Sequence, residues 1–165
     1  MQVPIRKPGK YTHTQSDPHL TETKFSELKN TLEKLKKSQR GAIEEVKRLA
    51  AHGDFSENHA YQMAKGRLRG INQRIAEIEN DLNQAIIIKP TKNTNTVQLG
   101  NRVTVQTSNK TQTFQILGSA ETDPRAGIIS HNSPIGAALI GRRVGDIIII
   151  KLTNKTIEYT ITKIE

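Results

Sequence analysis

Two carboxylates, Asp54 and Glu57, are the residues of this chain whose types and spacing are best suited to chemistry. They stand in the segment Gly53-Asp-Phe-Ser-Glu-Asn58, between two long stretches with helical apolar periodicity. Carboxylate oxygens are the ligands that Mg²⁺ prefers, and both acids are ionised at neutral pH. The pair could therefore hold a magnesium ion where the chain turns.

The same spacing also has a structural interpretation. Asp54 followed by Glu57 is a capping-box pattern, with Asp54 as the N-cap and Glu57 at the N3 position. Capping and metal binding can coexist if one carboxylate oxygen bonds the backbone while another faces solvent. Phe55 is large and apolar, so its place at a turn is explained either by a partner surface or by packing on the hairpin itself.

Two helices must position this pair. From Thr21 onward, apolar residues recur three and four apart, which is the seam pattern of a coiled coil, and only Gln39 interrupts it. A second series follows the short break at 52–56, so the second helix must fold back beside the first as an antiparallel hairpin. Roughly thirty residues per helix make an arm about 45 Å long, with the two carboxylates at its tip. The two series are Phe25, Leu28, Leu32, Leu35, Gln39, Ala42, Val46 and Leu49, and Ala64, Leu68, Ile71, Ile75, Ile78, Leu82 and Ala85.

The remainder of the chain has a different pattern. The proline-containing residues 1–19 predict a flexible basic tail, and Pro90 opens a linker over 89–96. Beyond it, β-branched residues alternate or cluster between turn residues, which predicts strands, and Ser133-Pro134 followed by Gly141 predicts one short helix. We therefore predict an α+β fold: a helical hairpin over 20–88 with its acidic tip at 53–58, then a small, mainly β domain over 97–165. The predicted strands lie near 103–105, 113–116, 147–152 and 156–164.

Composition narrows the class of protein. The chain has no Cys, and its longest aliphatic run is the size of a strand, so we expect a cytoplasmic protein without a membrane span. The net charge of +9 favours a polyanionic partner or an acidic protein surface. The five histidines show no metal-ligand spacing, so we expect no permanent metal. They are His13, His19, His52, His59 and His131.

Two motifs carry a family resemblance. Gly53-Asp-Phe-Ser-Glu-Asn58, followed by Ala60-Tyr61 and Ala64-Lys65, resembles the tip motif of the GreA/GreB family of bacterial transcript-cleavage factors. The segment from Ser133 to Asp146, Ser-Pro-Ile-Gly-Ala-Ala-Leu-Ile-Gly-Arg-Arg-Val-Gly-Asp, is similar to the second-domain signature of that family. The motifs stand in the family's order, and the resemblance covers about residues 20–165. One departure is Phe55, where the family usually has a smaller aliphatic residue.

The resemblance implies a C-terminal domain with an FKBP-like fold and an arm that enters the secondary channel of bacterial RNA polymerase. Asp54 and Glu57 would then help to hold a transient Mg²⁺ and a water, so that the polymerase cleaves backtracked RNA at its own active site. The chain would be an accessory factor, not an enzyme, and we expect a monomer. Ser56, Asn58 and Tyr61 match positions that support the tip, and Phe55 stands among them.

A basic row follows the tip: Lys65, Arg67, Arg69 and Arg74. The resemblance implies that this row holds the 3′ segment of the nascent RNA through its phosphates, and Lys65-Gly-Arg-Leu-Arg resembles the more basic, GreB-like version of the arm. The alternative for such a row is a solvated helix face with ion pairs.

Three other functions remain open. A channel binder of the same fold could inhibit polymerase without stimulating cleavage, although the retention of Asp54 and Glu57 argues against it. A prolyl isomerase would need an aromatic-lined pocket, for which the second domain offers only Phe114 and Tyr159. A plain nucleic-acid-binding module would bind naked RNA in a salt-sensitive manner without polymerase.

Overall fold

The computed structural model describes residues 17–51, 59–89, 95–108, 110–152 and 155–165. Within them a two-helix hairpin is followed by a five-stranded sheet that carries one short helix, so the predicted α+β class is confirmed. The elements are β1 (His19–Leu20), α1 (Glu22–Ala50), α2 (His59–Gln84), β2 (Ile86–Ile87), β3 (Arg102–Thr107), β4 (Lys110–Leu117), β5 (Ile128–Ser130), α3 (Pro134–Leu139), β6 (Ile147–Leu152) and β7 (Lys155–Ile164).

The hairpin is built on the seam that the periodicity predicts. Thr21 is the N-cap of α1, and its side-chain oxygen accepts a hydrogen bond from the Lys24 N–H. Every predicted seam residue is buried or half-buried, and Ile78 is fully enclosed. The small residues Ala42 and Ala64 are buried in the outer half of the arm. The helices therefore pair along their whole described length.

Polar contacts across the seam fix how the two helices align. Gln39, the one polar residue of the first series, donates its amide to the Asn72 side-chain oxygen at 2.7 Å. Lys36 and Glu79 form an ion pair at 2.6 Å between the same two helices. Exposed pairs of this kind contribute only about 0–1 kcal/mol, so they select the alignment more than they stabilise it.

The second domain has the sheet order β5-β4-β3-β7-β6. All neighbouring strands are antiparallel except β4 and β5, which run parallel. Helix α3 begins at Ser133 as N-cap with Pro134 at its first turn, as predicted. Strand β5 and two 3₁₀ turns, Ser119–Glu121 and Pro124–Ala126, were not predicted. The core consists of Val97, Val103, Val105, Ile116, Leu139, Ile148, Ile150, Tyr159, Ile161 and Ile164.

The base of the arm is bound to the second domain. Strand β1 pairs in parallel with β2, so the residues just before α1 are joined to those just after α2. The Glu121 carboxylate accepts hydrogen bonds from both the backbone N–H and the hydroxyl of Thr21, each at 2.6 Å. These contacts attach the N-cap of α1 to the 3₁₀ turn that follows β4.

The end of the predicted basic tail differs from the prediction. The Asp17 side chain is only 4% exposed, and it accepts hydrogen bonds from the Ser119 N–H and hydroxyl. His19 lies in β1 and packs tightly on Gly118, where an added Cβ would lie 1.9 Å from the His19 carbonyl oxygen. Proline and charge patterns could not show this, because the partners lie in the distant second domain. Residues 1–16 of the tail lie outside the described residues.

The close approach at Gly136 generates a stability prediction. A Cβ at Gly136 would lie 2.1 Å from the Ser130 carbonyl oxygen, which also accepts a hydrogen bond from the Ser133 hydroxyl. We expect Gly136→Ala to destabilise the second domain by about 1–3 kcal/mol through overpacking. Thermal and urea unfolding followed by circular dichroism would measure the change.

Gly70→Ala is the matched control, because a Cβ there meets nothing within 4 Å and the site is an exposed helix interior. Alanine should stabilise that helix by up to about 1 kcal/mol. Equal stability of Gly136→Ala and the wild type would contradict the described packing of α3.

Candidate functional site

The predicted acidic tip lies between the two helices. Asp54, Phe55, Ser56, Glu57 and Asn58 lie outside the described residues, so the capping and metal-binding interpretations both remain predictions. The residues that flank this segment are described: α1 ends at Ala50 and α2 begins at His59. The opposite ends of the helices adjoin the second domain. The tip segment therefore joins the ends of the arm that are farthest from that domain.

One side of the outer arm carries two of the predicted basic residues together with Tyr61. The Lys65 ammonium lies 5.3 Å from the centre of the Tyr61 ring, within the range of a cation–π contact. Arg69 lies one turn further along, and all three line the same shallow groove with Asn72. Within the described part of the chain, neither Lys65 nor Arg69 has a carboxylate partner. This side is available to an anion.

The other two predicted basic residues have carboxylate partners. Arg67 lies 3.7 Å from the Glu45 carboxylate on the neighbouring helix. Arg74 pairs with Glu77 at 3.0 Å on its own helix, and hydrogen bonds from Arg74 and then Gln73 lower the pKa of Glu77. Arg67 lines a separate groove with Met63 and Glu45.

The structure thus divides the predicted basic row between two sides of α2. A helix turns about 100° per residue, so Lys65 and Arg69 share a side while Arg67 and Arg74 lie roughly opposite them. The sequence grouped all four because they are close in the chain. The rotation of a helix by about 100° per residue could have assigned them to two different sides of α2 from the sequence alone.

An apolar surface on the second domain was not predicted as a functional site. Val144, Ile147 and Ile149 are 54%, 56% and 59% exposed, and β6 is an edge strand of the sheet. Their neighbours Ile148 and Ile150 are buried, so the four consecutive isoleucines alternate between core and solvent. We call Val144, Ile147 and Ile149 the β6 apolar surface. Exposed apolar patches of this kind are typical of protein-binding surfaces.

A second cluster of polar side chains lies where the arm meets the second domain. The Asp17 carboxylate contacts the Nδ1 atoms of His19 at 2.9 Å and of His131 at 3.3 Å. Burial of Asp17 opposes its ionisation, but hydrogen bonds from Ser119 and His19 outweigh burial and lower the pKa of Asp17 to about 2. We call Asp17, His19, Ser119 and His131 the junction cluster. Sequence spacing missed it because its members come from separate segments.

None of the helices described is long and apolar enough to cross a lipid bilayer.

Comparisons with known proteins match both halves of the chain. Residues 19–87 match the family model described as transcription elongation factor, N-terminal, and residues 92–165 match the model described as transcription elongation factor, GreA/GreB, C-term. The chain is 39% identical over 138 residues to the transcription elongation factor GreA of Staphylococcus saprophyticus, covering 82% of this chain and 87% of that one. It is 38% identical over 143 residues to the GreA of Sphingopyxis alaskensis, covering 86% and 90%.

Among solved structures, the chain is similar to GreA factor homolog 1 of Thermus thermophilus. The two are 25% identical, with a TM-score of 0.41 and coverage of 88% of this chain and 97% of that one.

Proposed function

Because the chain belongs to the GreA/GreB family of transcription elongation factors, we propose that it rescues arrested RNA polymerase by stimulating cleavage of backtracked RNA. The arm enters the secondary channel of the polymerase and carries Asp54 and Glu57 to the active centre. The observation that supports this most is the long two-helix arm with an acidic pair in its tip segment. The chain is an accessory factor that acts in the cytoplasm as a monomer, and the polymerase supplies the catalytic site.

The tip acts through its carboxylates. Asp54 and Glu57 supply hard oxygen donors, which fit Mg²⁺ and do not fit a soft transition metal. When bound there, Mg²⁺ supplies Lewis-acid activation of water for hydrolysis of the phosphodiester bond. The two residues are too few to hold the ion alone, so the polymerase must provide further ligands. Phe55, Ser56, Asn58 and Tyr61 support the tip, and Phe55 contacts the partner through its apolar ring.

The second domain supplies the docking contact on the outside of the channel. The β6 apolar surface presents exposed aliphatic side chains on an edge strand, beside the exposed Arg142 and Arg143. Such a surface fits a partner with an apolar patch and a negatively charged rim. With this surface at the channel entrance, the length of the arm sets how far the tip reaches.

The side of α2 formed by Tyr61, Lys65 and Arg69 holds the extruded RNA. Lys65 and Arg69 form no ion pair with any carboxylate among the described residues, so they can contact phosphates, and the Tyr61 ring lies beside Lys65 in the same groove. Arg67 and Arg74, which form ion pairs with Glu45 and Glu77, contribute only to the overall electrostatic potential around the arm. Inhibition of polymerase by a protein of the same fold remains the competing function. The acidic pair Asp54 and Glu57 favours stimulation of cleavage over inhibition.

We expect the double variant Asp54→Asn, Glu57→Gln to lose cleavage stimulation while it still binds polymerase. The rate should fall by at least about tenfold, because even outer-shell partners of a metal are worth about 10–100-fold. RNA release from stalled, backtracked complexes in the presence of Mg²⁺ measures the effect.

Glu33→Gln, Glu44→Gln is the matched control, because it removes two exposed carboxylates of α1 away from the tip. It should leave cleavage unchanged. If the wild-type chain binds polymerase but does not stimulate cleavage, the inhibitor function replaces the one proposed.

The division of the basic row generates a second prediction. The double variant Lys65→Ala, Arg69→Ala should need a higher factor concentration for half-maximal cleavage. That concentration should also depend less on salt: the slope of its logarithm against the logarithm of the KCl concentration should fall by about 1.4 if two phosphate contacts are lost. Titrations of the factor at several KCl concentrations would measure both quantities.

Arg67→Ala, Arg74→Ala removes the same charge from the paired side and should change the slope little. Equal effects of the two double variants would show that the arm acts through its total charge, and the assignment of RNA to the Tyr61 side would fail.

A further inference from the structure

The junction cluster has the composition of a metal site. Asp17, His19 and His131 each offer a ligand atom, and these three atoms lie within 4.8 Å of one another. The two imidazole rings meet edge to face with their centres 5.2 Å apart. Bonds of about 2.0–2.1 Å in a tetrahedral zinc site place ligand atoms roughly 3.4 Å apart. Small movements of side chains would therefore bring all three donors to one ion.

The surroundings of the cluster suit a bound cation. Two hydrogen bonds from Ser119 and one from the His19 backbone orient the Asp17 carboxylate, as outer-shell partners orient metal ligands. The side chains of His19 and His131 are 33% and 23% exposed, so an ion can enter from solvent. Within the described part of the chain, no Lys or Arg forms an ion pair with Asp17.

The donor set selects the class of metal. Two imidazole nitrogens with one carboxylate oxygen suit Zn²⁺ and its transition-metal neighbours, whereas Mg²⁺ and Ca²⁺ prefer oxygen alone. Three protein ligands leave the fourth position of a tetrahedral ion to water. We propose that Asp17, His19 and His131 bind one Zn²⁺ ion at the junction of the arm and the second domain.

Such an ion would connect parts of the chain that are distant in sequence. Asp17 and His19 precede α1, whereas His131 follows β5 in the second domain. The ion would therefore join the base of the arm to that domain, beside the hydrogen bonds between Thr21 and Glu121. The 29 residues of α1 separate it from the tip, a distance of about 43 Å. The site is therefore independent of the proposed Mg²⁺ chemistry, and its test needs no polymerase.

Isothermal titration of ZnCl₂ into the full-length, EDTA-treated chain at neutral pH tests the proposal. We expect one ion per chain, with binding weakened by at least about tenfold in His19→Ala, His131→Ala and Asp17→Asn, since each removes a direct ligand. Zn²⁺ should also raise the melting temperature of the wild type and not that of His131→Ala, because the ion binds only the folded site.

His59→Ala is the matched control, because His59 is an exposed histidine at the start of α2 and lies outside the cluster. It should bind Zn²⁺ as the wild type does. His131→Asn retains a side-chain N–H donor at the position of Nδ1. It should therefore remove the metal ligand while the chain still folds. Zn²⁺ affinity that is unchanged in the folded His131→Asn and His19→Ala variants would overturn the proposal. If His59→Ala lost as much Zn²⁺ affinity as the His19 and His131 variants, the proposal would also be overturned, because the binding would be non-specific.

Discussion

The two hydrogen bonds that the Glu121 carboxylate accepts from Thr21 attach the start of the arm to the second domain. Thr21 is at the same time the N-cap of α1, so one residue both starts the helix and attaches it to the second domain. A two-helix arm buries little surface per residue, and its own packing cannot set its direction. The junction cluster supports the same attachment, and the β1–β2 pairing joins the two ends of the arm to each other. This small set of polar contacts holds the base of the arm against the second domain.

The sequence predicted the elements whose information is local. Seam periodicity located both helices, and Ser133-Pro134 located the start of α3, because capping and proline geometry depend on adjacent residues. Strands β3, β4, β6 and β7 followed from alternation of β-branched residues. Strands β1, β2 and β5 were missed because two or three residues are too short to show a period, and their pairing comes from distant partners. Strand β2 lies within the range 20–88 that was predicted as the helical hairpin, since α2 ends at Gln84.

The same distinction between local and long-range information applies to the candidate sites. The acidic pair could be predicted because its two members are three residues apart and belong to a motif, and it stays a prediction because it lies outside the described residues. The junction cluster could not be found, since His19 and His131 meet only after the arm and the second domain have packed together. The separation of Lys65 and Arg69 from Arg67 and Arg74 was available in the sequence, because it requires only the helical period. The β6 apolar surface required knowledge that β6 is an edge strand.

The exposed edge of β6 also affects how the free chain behaves in concentrated solution. Edge strands with apolar side chains are templates for pairing with another copy of the same strand. The chain carries a net charge of +9, and Arg142 and Arg143 just before this strand are exposed, so two copies that approach each other are repelled. Salt screens such repulsion over a distance of about 10 Å at 0.1 M. Colloidal stability should therefore decrease as ionic strength rises, because salt weakens the repulsion that keeps two exposed β6 edges apart.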